Sequence, residues 1–370
     1  MSLLVAVVGC GSSSKPPADA GHGDALQDAG DADAPSSTDT PAASSDGADA
    51  ADAGAPMVVA SLMRVPASLA LSGSTLYVTV AESAAGGDGK VVTVAKTAVA
   101  ATPDGGVVTL ASSLIRPRAI AVDGDLVLWG DTQHEFPGLQ EVMTVAKTGG
   151  TPSVLLTDAA ETPHLAIAGS VLYAITGNGK SISPVPLGAA DGGVGTAIYP
   201  GNPPNATVGL DSDGTSVFFF TNGTTNLDLF SVGVGGSAAT DLSMNATSAS
   251  VAFDFLTHDA TAIYWSDSGT GSLFSLAKTA GATKSPLATS APGSDPVQIL
   301  PDGDNLYLLS SNKLMRLSKT GGTPVILASV AGSGAETYVA SLGNAVSLAV
   351  DETFVYWLYE GSGEILKISK

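Results

Sequence analysis

One short stretch recurs along this chain at a near-constant spacing, and that recurrence narrows the possible folds more than any other property of the sequence. Its fullest copy is Ala262-Ile263-Tyr264-Trp265-Ser266-Asp267, which follows a turn at Asp259 and ends in a polar loop. Worn copies place Tyr77, Leu128-Trp129, Tyr173, Phe218, Tyr307 and Tyr356-Trp357 at the same point of the repeat. The seven anchors stand roughly forty-six residues apart, a period that marks a repeat architecture before any other reading is attempted.

Each unit reads as four short strands. The first is an apolar run that follows a proline or polar loop, as at 117–122, 163–167 and 296–300. A tight turn follows, as in Asp123-Gly124-Asp125, Asp213-Gly214-Thr215 and Asp302-Gly303-Asp304. The Tyr-Trp strand comes next, then a third strand ending on Lys96, Lys147, Lys278 or Lys319. A turn such as Lys319-Thr320-Gly321-Gly322 leads into the fourth. Alternation with period two, bounded by Gly, Pro, Asn and Asp, is a strand signal throughout, and no ten-residue helical pattern competes with it. Units 3 and 4 depart most, because Gly188 and Gly235 fall near where other units place the turn lysine. The reading is an all-β chain whose residues 55–370 form a seven-bladed β-propeller of four-stranded blades.

The ends of the repeat region sharpen it. Lys370 aligns with Lys319, so the seventh unit stops after its third strand. Its missing fourth strand has a match at 55–61, where Ala55-Pro56-Met57-Val58-Val59-Ala60-Ser61 follows the pattern of Thr323-Pro324-Val325-Ile326-Leu327-Ala328-Ser329. A ring closed by residues 56–62 is expected, since an open ring leaves an apolar blade edge unpaired.

Ahead of the repeats, residues 11–54 are almost wholly Ala, Asp, Ser, Gly, Pro and Thr, with nine Asp against one lysine, Lys15. Such a segment has nothing to bury and reads as a disordered, self-repelling linker. Residues 1–10 resemble a bacterial lipoprotein signal. Leu3-Leu4-Val5-Ala6 supplies the apolar run and Val7-Val8-Gly9-Cys10 the lipobox, with Cys10 the lipidated residue. The run lacks a preceding Lys or Arg and is too short to span a bilayer, so the resemblance implies an anchor and not a membrane span. The implied location is the bacterial cell envelope, at the outer membrane, cell surface or periplasm. Cys10 is the one cysteine in the chain, which excludes an internal disulfide. A net charge of −20 argues against nucleic acid as a partner.

Tyr264-Trp265-Ser266-Asp267 also resembles the Tyr-Trp-Thr-Asp repeat of propellers of the low-density-lipoprotein-receptor type. The strand pattern is similar to NHL-type and virginiamycin-lyase-like propellers as well. Those resemblances imply the fold for residues 55–370 and leave the function open, because propellers host binders and enzymes alike.

In such a ring the loops leading into the first strands share one face with the loops between the second and third strands. The tight turns share the other face, where the turn lysines collect. On the first face the candidate ligand-binding residues are Arg118, His164, Asp254, Gln298, Asp131, Asp267 and Glu82, converging on the channel mouth. The same residues could equally pair with one another inside a channel too polar to pack. His134 stands beside Glu135 in a long loop, and His258 reads as a turn residue. Trp129, Trp265 and Trp357 read as packing between blades. No hydrolase elbow, zinc-protease helix, phosphate loop or dinucleotide fingerprint is present, so no catalytic residue, metal ligand or cofactor is assigned.

The resulting expectation is a monomeric, lipid-anchored envelope module that binds or scaffolds a protein, glycan or small ligand. The alternative is a metal-dependent propeller enzyme of lyase or lactonase type. Replacing Cys10 with serine should abolish fatty-acid labelling in a bacterial host and shift the protein from the membrane pellet to the soluble fraction; unchanged sedimentation would remove the anchor.

Overall fold

The computed structural model describes residues 54–62, 65–81, 87–98, 106–132, 139–160, 165–177, 179–188, 193–201, 207–222, 227–236, 238–247, 255–267, 270–279, 281–289, 298–310, 313–329, 347–359 and 362–370. All lie in the second of two compact units, Gly47–Lys370. Cys10, Glu82, His134, Glu135, His164 and Asp254 lie outside the described residues.

Seven antiparallel sheets form a ring of blades, as the repeat predicts. Blade 1 covers 65–114, blade 2 117–160, blade 3 166–199, blade 4 207–247, blade 5 256–288 and blade 6 298–329. Blade 7 combines 348–369 with the strand Met57–Ser61. The first strand of each blade faces the centre, where successive first strands lie side by side, those of blades 2 and 3 least closely.

A blade is apolar on both faces, so it can bury them only against two neighbours. The buried side chains accordingly fall into seven clusters, one at each blade boundary. Trp129 packs with Tyr77, Val91 and Leu114 of blade 1, Trp265 with Phe218 and Phe220 of blade 4, and Trp357 with Tyr307 and Leu309 of blade 6. The tryptophans are thus inter-blade core, as the repeat implied.

Ring closure also follows the expectation. Met57–Ser61 pairs antiparallel with Glu364–Ser369, with Val58 opposite Leu366 and Ala60 opposite Ile365. The Leu62 N–H extends the ladder to the Gly363 carbonyl at 2.7 Å. Val59, Ala60 and Leu62 are buried in the cluster shared by blades 7 and 1.

Blade 3 departs from the four-strand pattern. Among the described residues its sheet has three strands, and an isolated bridge between Ile182 and Tyr199 stands in the place of the fourth. The reason lies in Ser181–Pro186, the third strand. Ile182 and Pro184 turn their backbone groups outward, Ile182 exchanging hydrogen bonds with the 198–199 segment and the Pro184 carbonyl accepting from Gly195. Pro184 and Pro186 have no N–H, so the outer edge lacks the donors for a longer ladder.

The third strands end in one recurring backbone bond. Lys96, Lys147, Leu187, Val234, Lys278, Lys319 and Lys370 each donate an N–H to the carbonyl of Ser74, Asp125, Ser170, Thr215, Thr261, Asp304 and Thr353 respectively. In blades 3 and 4 the turn-lysine position is therefore held by Leu187 and Val234, one residue before the glycines singled out above.

Removing residues 56–62 strips a blade edge and the apolar contacts of Val59, Ala60 and Leu62, about 5 kcal/mol of burial. The melting temperature should fall by about 10 °C or more; an unchanged transition in a thermal scan would refute closure by this strand.

Candidate functional site

The tight-turn face is built from a single repeated device. The first turn of blades 2, 4, 5, 6 and 7 opens on an aspartate: Asp123, Asp213, Asp259, Asp302 and Asp351. In blade 5, Asp259 Oδ1 accepts from the N–H groups of Thr261 and Ala262 and from the Thr261 hydroxyl. Its Oδ2 accepts from the Tyr264 hydroxyl at 2.8 Å and from Lys319 Nζ of blade 6 at 2.6 Å. Blade 7 repeats this, with Asp351 holding Thr353, Phe354, Tyr356 and Lys96 of blade 1. In blade 4, Asp213 holds its own turn and Lys278 of blade 5, whose ammonium lies 5.0 Å from the centre of the Phe218 ring. Lys370 reaches Asp302, and Lys147 reaches the Ser72 hydroxyl. Each lysine thus reaches back across a blade boundary to the preceding turn.

The electrostatics follow. Burial pushes the carboxyls of Asp213, Asp259 and Asp351 up, but the lysine and the turn donors outweigh it, and all three sit well below the ordinary 3.8. Tyr264 and Tyr356 move the opposite way, raised by burial and by the aspartate each donates to.

Every member of the Tyr-Trp-Ser-Asp tetrad has a structural task. Tyr264 ties the turn, Trp265 Nε1 donates to the Ala246 carbonyl of blade 4, and the Ser266 hydroxyl accepts from the Phe255 N–H. The Asp267 carbonyl accepts from Thr270 and Gly271. Tyr264 is therefore a polar link as well as packing. The sequence signal for this device was present in the spacing Asp-x-Thr-x-x-Tyr at 259–264 and 351–356, with Phe218 in the tyrosine place after Asp213. What no single unit could show is that the lysine partner belongs to the next blade.

The opposite face carries the candidate ligand residues. Arg118 lies at the start of the inner strand of blade 2, 6% exposed, and its carbonyl accepts from the Thr79 hydroxyl of blade 1. Asp131, 7% exposed, lies next to the last residue of the second strand of the same blade and accepts from the N–H groups of Ile115 and Arg116. Burial raises its pKa, those two N–H groups oppose the rise, and Glu141 on the paired strand adds to it. Asp267 is buried at the matching end of blade 5. Gln298 begins the inner strand of blade 6, and its side-chain oxygen accepts from the Leu348 N–H of blade 7.

Gln298 belongs to a second set of fasteners close to the channel. Ser347 donates to the Leu69 carbonyl of blade 1, and Ser68 accepts from the Ile120 N–H of blade 2. His258 Nδ1 lies 2.6 Å from Asp211 Oδ2 of blade 4, so this histidine is a link between blades beyond its place before a turn. Among the described residues, no group of three or more His, Cys, Asp and Glu side chains is placed to hold a metal ion.

The sequence matches no protein-family profile and no curated protein. Solved structures do share the architecture. A catalytically inactive virginiamycin B lyase from Staphylococcus aureus, solved with quinupristin, superposes with a TM-score of 0.60 at 13% identity, covering 85% of this chain and 98% of that one. The AfRom2 CNH domain superposes with a TM-score of 0.56 at 8% identity, covering 85% and 98%. The likeness is one of fold.

A lowered carboxylate pKa contributes stability in full above the unfolded value and loses it as pH falls toward the folded one. Stability should stay level from pH 7 to about 5 and decline below about 4. Asp259→Asn should cost about 2 kcal/mol at pH 7 and flatten that decline in denaturant titrations; a variant as stable as the parent would deny the turn aspartate its role.

Proposed function

We propose that the protein is a lipid-anchored module of the bacterial cell envelope that uses the face opposite its tight turns to bind or scaffold a protein, glycan or small ligand. The observation that carries this reading is the burial of two ionisable residues, Arg118 and Asp131, at that end of blade 2. Burying such groups is costly, and their concentration at one place is a feature of binding sites as well as of structural links. The tight-turn face supports the reading from the other side. Lys96, Lys278, Lys319 and Lys370 are tied there to turn aspartates, which commits them to holding the ring together. Glu82, His164 and Asp254 belong to the proposed site by their place in the repeat, and Asp267 by its position in blade 5. Gln298 is tied to the backbone of the next blade and shapes the channel wall.

The lyase or lactonase reading draws on the virginiamycin B lyase likeness. It requires a divalent metal and a histidine acting as acid or base.

Capture from native envelope through a tag at Lys370, followed by mass spectrometry, tests the binding reading. Arg118→Gln should lose the captured partner about ten-fold while circular dichroism keeps the parent's β signature. A stoichiometric divalent metal in the purified protein, lost in His164→Ala and Asp254→Ala, would overturn this reading in favour of the enzyme.

A further inference from the structure

Among the described residues the inter-blade fasteners of the tight-turn face are unevenly distributed, and the gap falls on one blade. Polar side chains clasp blade 1 to blade 7, blade 5 to blade 4, blade 6 to blade 5 and blade 7 to blade 6 through lysine–aspartate pairs. Lys147 clasps blade 2 to blade 1 through Ser72. Blade 3 presents Leu187 where blade 2 offers Asp123. At its other boundary Ala168 faces the place of Val234. Among the described residues of 165–201, the channel-side side-chain links named above have no counterpart. Gln298, Ser347 and Ser68 join blades 6, 7, 1 and 2 in sequence, and His258 joins blades 4 and 5.

Among the described residues, what holds blade 3 is mainly apolar contact. Leu187 packs into the cluster it shares with blade 2, and Ala168 and Val234 pack against the cluster it shares with blade 4. A backbone bond from the Thr207 N–H to the Gly179 carbonyl at 2.7 Å crosses to blade 4. Apolar contact contributes free energy as the clasps do, but it is non-directional and fixes register less firmly. Two further features act in the same direction. The inner strand Ala166–Ala168 has three residues, and it approaches the inner strand of blade 2 less than any other pair of successive inner strands. The outer segment is held by few backbone bonds, because Pro184 and Pro186 remove donors from the edge it covers.

We infer that blade 3 is the adjustable sector of the ring, a unit that opens locally ahead of the other six. Its outer segment at 193–201 releases first, and the blade then shifts against blades 2 and 4 while the clasped blades keep their register. Blade 3 borders the blade that carries Arg118 and Asp131, so this motion alters the width of the ring next to those residues.

Hydrogen exchange read by mass spectrometry on the full chain, without denaturant, tests this. Peptides within 166–199 should exchange about ten-fold faster than the matching strands of blades 5 and 6. Equal rates, or earlier exchange in a clasped blade, would overturn the inference. The double variant Ala168→Asp with Val234→Lys places the missing pair at the boundary of blades 3 and 4, and should slow exchange in blade 3 several-fold where neither single change does. A folded double variant with unchanged blade 3 exchange would show that the missing clasp is not the cause. Lys278→Met provides the converse without touching blade 3. Exchange in blade 5 should rise toward the blade 3 rate, and an unmoved rate would equally count against the inference.

Discussion

Burial of a two-sided apolar sheet is the constraint from which the rest of this structure follows. A blade alone would expose one face whichever way it turned, and only a ring gives all seven a neighbour on each side. The seven core clusters show this directly, since each straddles a boundary and none belongs to one blade. Closure by Met57–Ser61 is the same requirement applied to the last edge.

Burial alone does not set how far one blade is displaced along the next. The polar links supply that register. A turn aspartate accepts from its own backbone, its own tyrosine and the next blade's lysine, so a local turn and a long-range contact share one carboxylate. Losing the lysine would leave a partly buried acid, and losing the acid would strand a tyrosine hydroxyl. Such coupling makes the turn, the aromatic and the lysine a unit.

Much of this was legible in the sequence because strand repeats write their phase in side chains of alternating character. The blade number, the tight turns, the packing role of Trp129, Trp265 and Trp357 and the closing strand all follow from that phase. Less legible was what lies between units. The lysine of one repeat answers the aspartate of the one before it, and His258 answers Asp211 forty-seven positions away. A single chain shows the partners but not the pairing, because the angle between blades decides it. Blade 3 was marked in the sequence as a weak unit by Gly188, but the effect of Pro184 and Pro186 on its outer edge depends on which way their backbone groups turn, and only the fold shows that. The candidate site was legible only as a face. Arg118 and Asp131 were placed there by the repeat, but their burial came from the fold, and Gln298 proved to be joined to the backbone of Leu348.

The closing strand has a mechanical consequence. Met57 lies at the tight-turn end of blade 7, opposite Lys367, and the strand runs from there toward the other face. A pull on the chain ahead of Met57, with the opposite face held, is directed along the strand axis. The backbone bonds to Glu364–Ser369 are then loaded side by side in shear and not one after another as in a zipper. A ring closed in this way resists best a pull directed along the axis of its closing strand.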